Sequence, residues 1–312
     1  MEITSRILNL PQKINIKPEV SNYDWVITTR IFSLIPIEYK PGLYASSHIR
    51  GFNLYWRCNE INCKNDLTKD STRVVCLGGS TTWGDGLNDD ETYPAQLGRI
   101  LNDEVNRESQ RFSVINLGIP GLTSYFLVKK GIYDALTING DIVVIGYGGI
   151  NDSLHMHYTD RNYRPLYTPF RLLRSFNLYR IIENSLDRYL FYPEPVPRVT
   201  KEEFIYNLDA SYQFLKEKGL EVIFLTEASL IRDHRYDGYG FSPIKHKEYS
   251  ASMIEFANRY QIPLIDIEAL FKTGSVEMSA HYFLEDGLHW SQAGCNKIAR
   301  ALADVIHRIS LY

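Results

Sequence analysis

Four short segments of this 312-residue sequence combine glycines with side chains that could carry out acyl transfer. In chain order they are Gly78-Gly79-Ser80-Thr81-Thr82, Asn116 to Gly121, Gly148-Gly149-Ile150-Asn151-Asp152 and Asp286-Gly287-Leu288-His289. A serine hydroxyl is a weak nucleophile at neutral pH, so it needs a histidine to take its proton and a carboxylate to orient that histidine. The sequence therefore holds every group that a serine nucleophile requires, in separate places.

The acid and the base are predicted to be Asp286 and His289. Three positions apart in a turn, they could bring carboxylate and imidazole together while His289 points at Ser80. The same Asp-x-x-His spacing recurs at Asp152 and His155, which form a rival pair. We prefer the first pair, because Asp152 is better explained as the end of the segment that contains Asn151.

An oxyanion formed during acyl transfer needs preorganised donors, each of which contributes on the order of 3 kcal/mol in a dry site. The candidates are the Ser80 amide, the Gly121 amide and the Asn151 side chain. Each segment alone is a weak signal, because a Gly-Gly-Ser turn or a glycine turn with an Asx cap is common where strands end. The combination of the four segments carries the prediction.

The elements that must position these residues follow from the hydrophobic pattern beyond residue 73. Short apolar runs alternate with helical patterns, which is typical of βαβ units and a parallel sheet. The five predicted strands are Val74 to Leu77, Val114 and Ile115, Ile142 to Ile145, Glu221 to Leu225, and Pro263 to Ile267. In such sheets, ligands bind beyond the carboxyl ends of the strands. Three of the four segments directly follow a predicted strand.

Two helices also have clear boundary signals. Thr200 and Glu203 form a capping-box pattern, and Gly219 is placed to end the helix that follows. Ser291 is a candidate cap for the last helix, whose apolar stripe is suited to cover one face of the sheet. The Asp286 segment therefore lies just before the final helix.

These four segments resemble those of the SGNH hydrolase superfamily, also called the GDSL esterases and lipases. The resemblance covers residues 73 to 309 and includes all four segments in order. It implies an α/β fold, a flavodoxin-like three-layer α/β/α sandwich with a five-stranded parallel sheet. It also implies Ser80 as the nucleophile, Asp286 and His289 as its partners, and an oxyanion hole from Ser80, Gly121 and Asn151.

Two details of the resemblance concern glycines. The family's second segment has its glycine a few residues past an asparagine that resembles Asn116, which favours Gly121 over Gly118. The first segment departs from the family, because Gly79 stands where an aspartate is usual. That aspartate is not one of the three reacting groups, so the expected chemistry is unchanged, but the substrates of better-known branches cannot be transferred to this chain.

The chain is expected to have two regions outside the core pattern. Residues 1–70 are rich in aromatic and turn residues without clean periodicity, and they are interpreted as an N-terminal appendage on a domain of residues 71–312. Residues 153–199, rich in aromatic residues and arginine, are interpreted as an insertion that forms one wall of a pocket. We expect this insertion to influence specificity.

Three further side chains are candidate substrate contacts. Trp83 and Trp290 flank Ser80 and His289 in sequence and could line a pocket, but each is equally compatible with a place in the core. Glu227 follows the fourth predicted strand and could contact substrate, although a solvated loop acid is the preferred interpretation.

Composition excludes several classes of function. A net charge of −3 without a run of Lys and Arg argues against binding of nucleic acid. Charged residues interrupt the first thirty positions, and no apolar run is long enough to span a membrane, so we expect a cytoplasmic protein. The four cysteines include only one close pair, Cys58 and Cys63, which predicts free thiols and no zinc site. No metal or organic cofactor is expected.

The functional hypothesis is therefore a serine esterase acting on a small acyl ester, such as an O-acetyl group on a carbohydrate or metabolite. An O-acyltransferase would need the same three reacting groups, and product analysis would separate the two. A lipase or thioesterase would need a long apolar cleft. A non-catalytic binding module is a fourth alternative, which the complete set of reacting groups disfavours. The oligomeric state is left open by the sequence.

Overall fold

The structure is a computed structural model. It describes residues 45–49, 52–56, 71–103, 111–156, 159–161, 194–231, 240–272 and 278–310. The described part of the chain contains the four candidate segments and all five strands predicted for the core.

The nine strands of the described residues form one central sheet and two small ribbons. They are β1 (Ala45–Ile49), β2 (Phe52–Trp56), β3 (Ser71–Gly78), β4 (Arg111–Asn116), β5 (Ile142–Gly146), β6 (His155–Met156), β7 (Val196–Pro197), β8 (Glu221–Leu225) and β9 (Leu264–Ile265). The central sheet is parallel, with the order β4-β3-β5-β8-β9. Counted along the chain, that is the flavodoxin-like order 2-1-3-4-5, in which the strand order reverses beside β3.

Helices cover both faces of this sheet. They are α1 (Ser80–Trp83), α2 (Tyr93–Asp103), α3 (Ser124–Phe126), α4 (Ile132–Thr137), α5 (Lys201–Glu217), α6 (Pro243–Tyr260), α7 (Ile267–Phe271) and α8 (Gln292–Ser310). A π-helical stretch, Leu127–Gly131, joins α3 to α4. The predicted three-layer α/β/α sandwich is thereby confirmed.

Alternate residues of the strands pack into two separate cores. On β3, Val75 and Leu77 face the layer that contains α4, α5 and α6, whereas Val74 and Cys76 face the layer that contains α2, α7 and α8. Successive side chains of a strand point to opposite faces of a sheet. Because both faces are covered, the buried parts of the central strands are continuous apolar runs, such as Val74 to Leu77 and Ile142 to Ile145.

The predicted helix boundaries are confirmed. Thr200 Oγ1 accepts a hydrogen bond from the Glu203 amide at 3.2 Å, and Gly219 follows α5 with a φ of 79°. Ser291 Oγ accepts from the Gly294 amide at 3.2 Å at the start of α8. These caps satisfy backbone groups that have no intrahelical partner.

The predicted C-terminal end of the fifth core strand is wrong. Strand β9 stops at Ile265, whereas the prediction continued it to Ile267. The Asp266 carboxylate accepts a hydrogen bond from the Ala269 amide at 3.2 Å and so caps α7, which begins at Ile267. The N-cap aspartate therefore ends the strand earlier than the apolar pattern indicated.

The appendage and the insertion are only partly within the described residues. Strands β1 and β2 form an antiparallel hairpin, and the rest of residues 1–70 lies outside the described residues. Strands β6 and β7 pair antiparallel and bring residues 155 and 197 together at the two ends of the predicted insertion. Residues 162–193 lie outside the described residues, so the role of both regions stays a prediction.

Two other sequence expectations concern thiols and membrane spans. Cys76 and Cys295 are buried and form no disulfide bond, as expected, whereas Cys58 and Cys63 lie outside the described residues. In the portion of the chain that the structure describes, every helix is too short or too polar to cross a bilayer.

Candidate active site

Ser80 is the first residue of α1, directly after the carboxyl end of β3. Gly79 precedes the helix, and a Cβ atom built on it would lie 2.7 Å from Asn151 Nδ2. A side chain at this position would therefore crowd Asn151 unless the amide of Asn151 shifted. As the first amide of α1, the Ser80 N–H has no acceptor within that helix.

The three predicted reacting groups lie in hydrogen-bond contact. His289 Nε2 is 2.8 Å from Ser80 Oγ, and His289 Nδ1 is 2.5 Å from Asp286 Oδ2. Ser80 and His289 are separated by 209 positions in the chain, so the fold alone brings them together. A neutral imidazole with its proton on Nδ1 would accept the serine proton at Nε2.

A tight turn presents Asp286 to His289. Asp286 Oδ1 accepts hydrogen bonds from the amides of Leu288 and His289, both at 2.9 Å. Partial burial by itself raises the pKa of the Asp286 carboxyl, but the hydrogen bonds from His289 and these amides outweigh it, and its pKa lies below the usual value. The carboxylate is therefore ionised whenever the imidazole needs a negative partner.

The loop after β8 holds this turn from outside. The Gly287 carbonyl accepts from the Leu230 amide at 2.7 Å and from Ser229 Oγ at 3.2 Å. Gly287 itself has a φ of 67°, a conformation that favours glycine. The Asp-x-x-His spacing works here because a left-handed glycine lies between the acid and the base.

The loop after β4 approaches α1 through two glycines with different environments. A Cβ atom on Gly118 would lie 2.4 Å from the Trp83 nitrogen, and the Gly118 amide donates to Asn116 Oδ1 at 2.9 Å. Gly121 has a φ of 75°, and its carbonyl accepts from Arg198 Nη2 at 2.8 Å. The Gly118 amide is therefore occupied within the protein, and the Gly121 carbonyl is fixed by an arginine.

Asn151 lies beside Gly79, in the loop after β5. Its Nδ2 donates to the Leu122 carbonyl at 3.0 Å, which fixes the side-chain amide against the loop that contains Gly121. A side-chain amide carries two N–H donors, so one remains for a ligand. The structure thus brings Ser80 and Asn151 together at Gly79 and ties Asn151 to the neighbour of Gly121.

Glu227 is buried, so its interpretation as a solvated loop acid is wrong. Its side chain accepts from Thr81 Oγ1 at 2.7 Å and from the Ile150 amide at 3.0 Å. Glu227 is 5% exposed because Gly148 packs directly against its backbone. A Cβ atom built on Gly148 would lie 2.1 Å from the Glu227 nitrogen. Burial raises the pKa of Glu227, and the hydrogen bonds from Thr81 and Ile150 offset only part of this rise. Glu227 therefore joins α1 to the loop that contains Asn151.

A second buried group lies beneath Gly121. Arg198, whose guanidinium binds the Gly121 carbonyl, also binds Asp160 through Nε at 3.1 Å and Nη2 at 3.2 Å. Asp160 in turn accepts a short hydrogen bond from Thr123 Oγ1. No sequence motif marks Arg198 or Asp160, because they come from the two ends of the predicted insertion and meet only through pairing of β6 with β7.

The rival acid and base are placed elsewhere. Asp152 accepts hydrogen bonds from the Ser124 amide and hydroxyl. His155 lies in β6, and its Nδ1 is 3.0 Å from the Ser153 carbonyl oxygen. Burial raises the pKa of Asp152 to about 7, against the hydrogen bonds from Ser124. Asp152 is therefore a structural group of the Asn151 loop, as the preferred interpretation had it.

The two tryptophans have different environments. Trp290 is 2% exposed and packs between Tyr93 and Phe271, so it belongs to the core and does not line an open pocket. Trp83 is half-buried at the end of α1. Its contact with substrate stays a prediction. Among the described residues, no group of three or more His, Cys, Asp or Glu side chains is placed to hold a metal ion.

Comparisons with known proteins agree with this fold. A family described as the GDSL-like lipase/acylhydrolase family matches residues 76–297, and a search of curated proteins found no match. Among solved structures, the lipase/acylhydrolase from Enterococcus faecalis is 20% identical, with a TM-score of 0.50 over 75% of this chain and 95% of that one.

Two further structures give similar values. An acetylxylan esterase from Geobacillus stearothermophilus is 18% identical, with a TM-score of 0.49 over 75% of this chain and 94% of that one. A GDSL-like lipase from Bacteroides thetaiotaomicron is 17% identical, with a TM-score of 0.48 over 80% and 95%. The family match spans more than half of the sequence and includes all four candidate segments. The chain therefore belongs to the GDSL-like lipase/acylhydrolase family and is an ester hydrolase.

Proposed function

We propose that the enzyme hydrolyses a small acyl ester through an acyl-enzyme on Ser80. His289 Nε2 takes the Ser80 proton as the hydroxyl attacks the ester carbonyl, and Asp286 holds the imidazole and stabilises its positive charge. The same imidazolium then protonates the leaving alcohol. A water molecule deprotonated by His289 releases the acyl group and restores Ser80.

The observation that carries this proposal is the pair of contacts at His289. The 2.8 Å contact to Ser80 Oγ and the 2.5 Å contact to Asp286 Oδ2 use opposite ring nitrogens, as proton transfer through one imidazole requires. The lowered pKa of Asp286, caused by hydrogen bonds that outweigh its partial burial, keeps that carboxylate charged when the imidazole is protonated.

The oxyanion is assigned to three donors, the Ser80 amide, the Gly121 amide and Asn151 Nδ2. We choose the Gly121 amide rather than the Gly118 amide as the second donor, because the Gly118 amide already donates to Asn116 Oδ1. The Gly121 carbonyl is bound by Arg198, so the peptide on that side of the residue has a fixed orientation. Donors that are oriented before the reaction stabilise developing charge without reorganisation.

For the substrate, we propose a short acyl group, such as an O-acetyl group on a carbohydrate or a related metabolite. Acyl esters from acetyl to long-chain, offered on one alcohol, test this directly. A kcat/KM that falls steadily with chain length supports the proposal, whereas a preference for long chains identifies a lipase. Product analysis with an added alcohol tests for acyl transfer in place of hydrolysis.

The mechanism is tested by hydrolysis of an aryl acetate by the wild type and by Ser80→Ala. We expect Ser80→Ala to lower kcat by about 10⁴-fold or more, because loss of the nucleophile leaves only binding and the oxyanion donors. Ser252→Ala is the matched control, since Ser252 lies partly exposed on α6 and donates to the Glu248 carbonyl. Equal rates for the wild type and Ser80→Ala would exclude the mechanism.

A further inference from the structure

The turn that follows α1 brings a second carboxylate to the base. Asp85 Oδ2 lies 3.8 Å from His289 Nε2, the nitrogen that faces Ser80 Oγ, whereas Asp286 contacts Nδ1. The Asp85 side chain is 44% exposed and that of His289 is 17% exposed. Asp85 therefore stands where solvent reaches the reacting side of the imidazole.

The backbone fixes the position of Asp85. Gly84 ends α1 with a φ of 84°, and the amides of Gly84 and Asp85 both donate to the Ser80 carbonyl, at 2.8 and 3.1 Å. Gly86 has a φ of 81°, and a Cβ built on it would lie 2.6 Å from Leu284 Cδ1. Asp85 thus lies between two glycines in left-handed conformations and beside the turn that carries His289.

This position borders the part of the site that the leaving alcohol must occupy. In the proposed cycle, His289 Nε2 protonates the leaving-group oxygen, which must therefore come within about 3 Å of that nitrogen. Because Asp85 Oδ2 is 3.8 Å from the same nitrogen, the leaving-group oxygen lies within about 7 Å of the carboxylate. In the same proposed cycle, the acyl oxygen is assigned to the donors at Asn151 and Gly121, away from Asp85. A charge on the alcohol part of the ester is therefore close enough to interact with Asp85.

We propose that Asp85 selects the alcohol part of the ester. It favours leaving groups that are cationic or that carry a hydroxyl able to donate to its carboxylate, and it disfavours those with a phosphate, sulfate or carboxylate group. This assignment rests on the proposed function, because it takes His289 as the acid that protonates the leaving alcohol. It narrows the substrate class to esters of neutral polyols or cationic alcohols.

Three acetates of similar shape test the charge preference. Acetylcholine carries a cationic alcohol, 3,3-dimethylbutyl acetate is its neutral counterpart, and 2-acetoxyethanesulfonate carries an anion. We expect the wild-type kcat/KM to be highest for the cation and lowest for the anion. At low salt, Asp85→Asn should reduce the cation-to-anion ratio of kcat/KM by about tenfold, since Asp85 is half-exposed and its field is partly screened.

Asp90→Asn is the matched control, because it removes the same charge from an exposed side chain a few residues away in the chain. It should keep the wild-type ratio within about twofold, as a screened surface charge does. The ratio is measured on one preparation of the full chain, so it does not depend on the folded fraction. Raising the salt concentration should also reduce the cation-to-anion ratio of kcat/KM in the wild type, and this test needs no variant.

An Asp85→Asn ratio equal to that of the wild type would overturn the assignment, and so would a uniform loss of activity on all three esters. The proposed function is tested separately, by hydrolysis of the neutral ester in the wild type and its loss in Ser80→Ala. An active enzyme with an unchanged ratio would therefore contradict only the role of Asp85.

Discussion

Two sets of residues around the site contain carboxylates in opposite environments: the open side, with Ser80, Asn151, Asp286 and His289, and the closed side, with Glu227, Asp152, Arg198 and Asp160. On the open side, the Asp286 side chain is 46% exposed and contacts His289 directly. On the closed side, Glu227 and Asp152 are buried, and their hydrogen bonds go to the loops of the site. In the proposed mechanism, the groups that exchange or stabilise a proton thus lie on the open side, and the groups that hold the loops lie on the closed side.

The pKa directions follow the same division. Despite partial burial, hydrogen bonds to the carboxylate hold the pKa of Asp286 below its usual value, so it stays charged beside the imidazole. Burial raises the pKa of Glu227 and raises that of Asp152 to about 7. Similar side chains therefore act differently because their surroundings differ, and substitutions on the two sides should have different consequences.

The largest effect among these comparisons is expected on the open side, from Asn151→Ala. Loss of one oxyanion donor should lower kcat by about 10² to 10³-fold, with a small change in KM, because the oxyanion forms only in the transition state. Steady-state kinetics on an aryl acetate measures this. Asn296→Ala is the control, since Asn296 binds Gln96 within the α2 and α8 layer. A loss of kcat below about tenfold would remove Asn151 from the oxyanion hole.

A smaller effect on the rate is expected on the closed side, from Glu227→Met. It leaves the Thr81 hydroxyl and the Ile150 amide without their buried acceptor, which should reduce the free energy of unfolding by about 2 to 4 kcal/mol. The shift of α1 relative to the Asn151 loop should lower kcat by about tenfold. Urea unfolding and kinetics measure the two effects.

Glu227→Gln is the matched variant, because its oxygen still accepts from the Ile150 amide and its amide can donate to the Thr81 hydroxyl. We expect it to stay close to the wild type in both stability and kcat. If Gln behaved like Met, the charge of Glu227 rather than its hydrogen bonds would be responsible.

The smallest effect on the rate is expected from Asp152→Asn, whose main consequence is the pH dependence of stability. The folded-state pKa of Asp152, raised to about 7 by burial, lies above its ordinary value of 3.8. The folded protein therefore keeps a proton that the unfolded chain releases. The contribution of Asp152 to the free energy of unfolding is complete below about pH 4 and is lost as the pH rises to about 7. The loss is at most about 1.4 kcal/mol per pH unit.

Asp152→Asn removes this titration but keeps an oxygen that can accept from the Ser124 amide and hydroxyl. Denaturation between pH 4 and 8 should show the wild type losing stability relative to the variant as pH rises through this window. Asp304→Asn, at an exposed site on α8, is the control. A constant difference between wild type and Asp152→Asn across the window would contradict the raised pKa.

The sequence predicted the open side much better than the closed side. Ser80, Asn151, Asp286 and His289 could be found because their chemistry requires particular residue types next to turn glycines at the ends of strands and before the last helix. The apolar runs predicted the five core strands along the chain, and the helix-boundary signals predicted the caps at Thr200 and Ser291. Here local sequence and overall fold lead to the same interpretation.

The closed side was missed because its partners meet only through tertiary contacts. Glu227 was interpreted as solvated, since an acid after a strand is usually exposed, and only the packing of Gly148 against it explains its burial. Arg198 and Asp160 come from opposite ends of the predicted insertion. Ile267 was predicted in a strand because an apolar run does not show where the Asp266 cap begins a helix.

The central claim is that Ser80 forms the covalent intermediate. It is tested most directly by treating the full-length enzyme with an aryl fluorophosphonate and mapping the modified peptide by mass spectrometry. We predict one phosphonyl group per chain on Ser80, loss of esterase activity in proportion to labelling, and much slower labelling of His289→Gln. Modification at another residue, or full esterase activity after complete labelling of Ser80, would contradict the account.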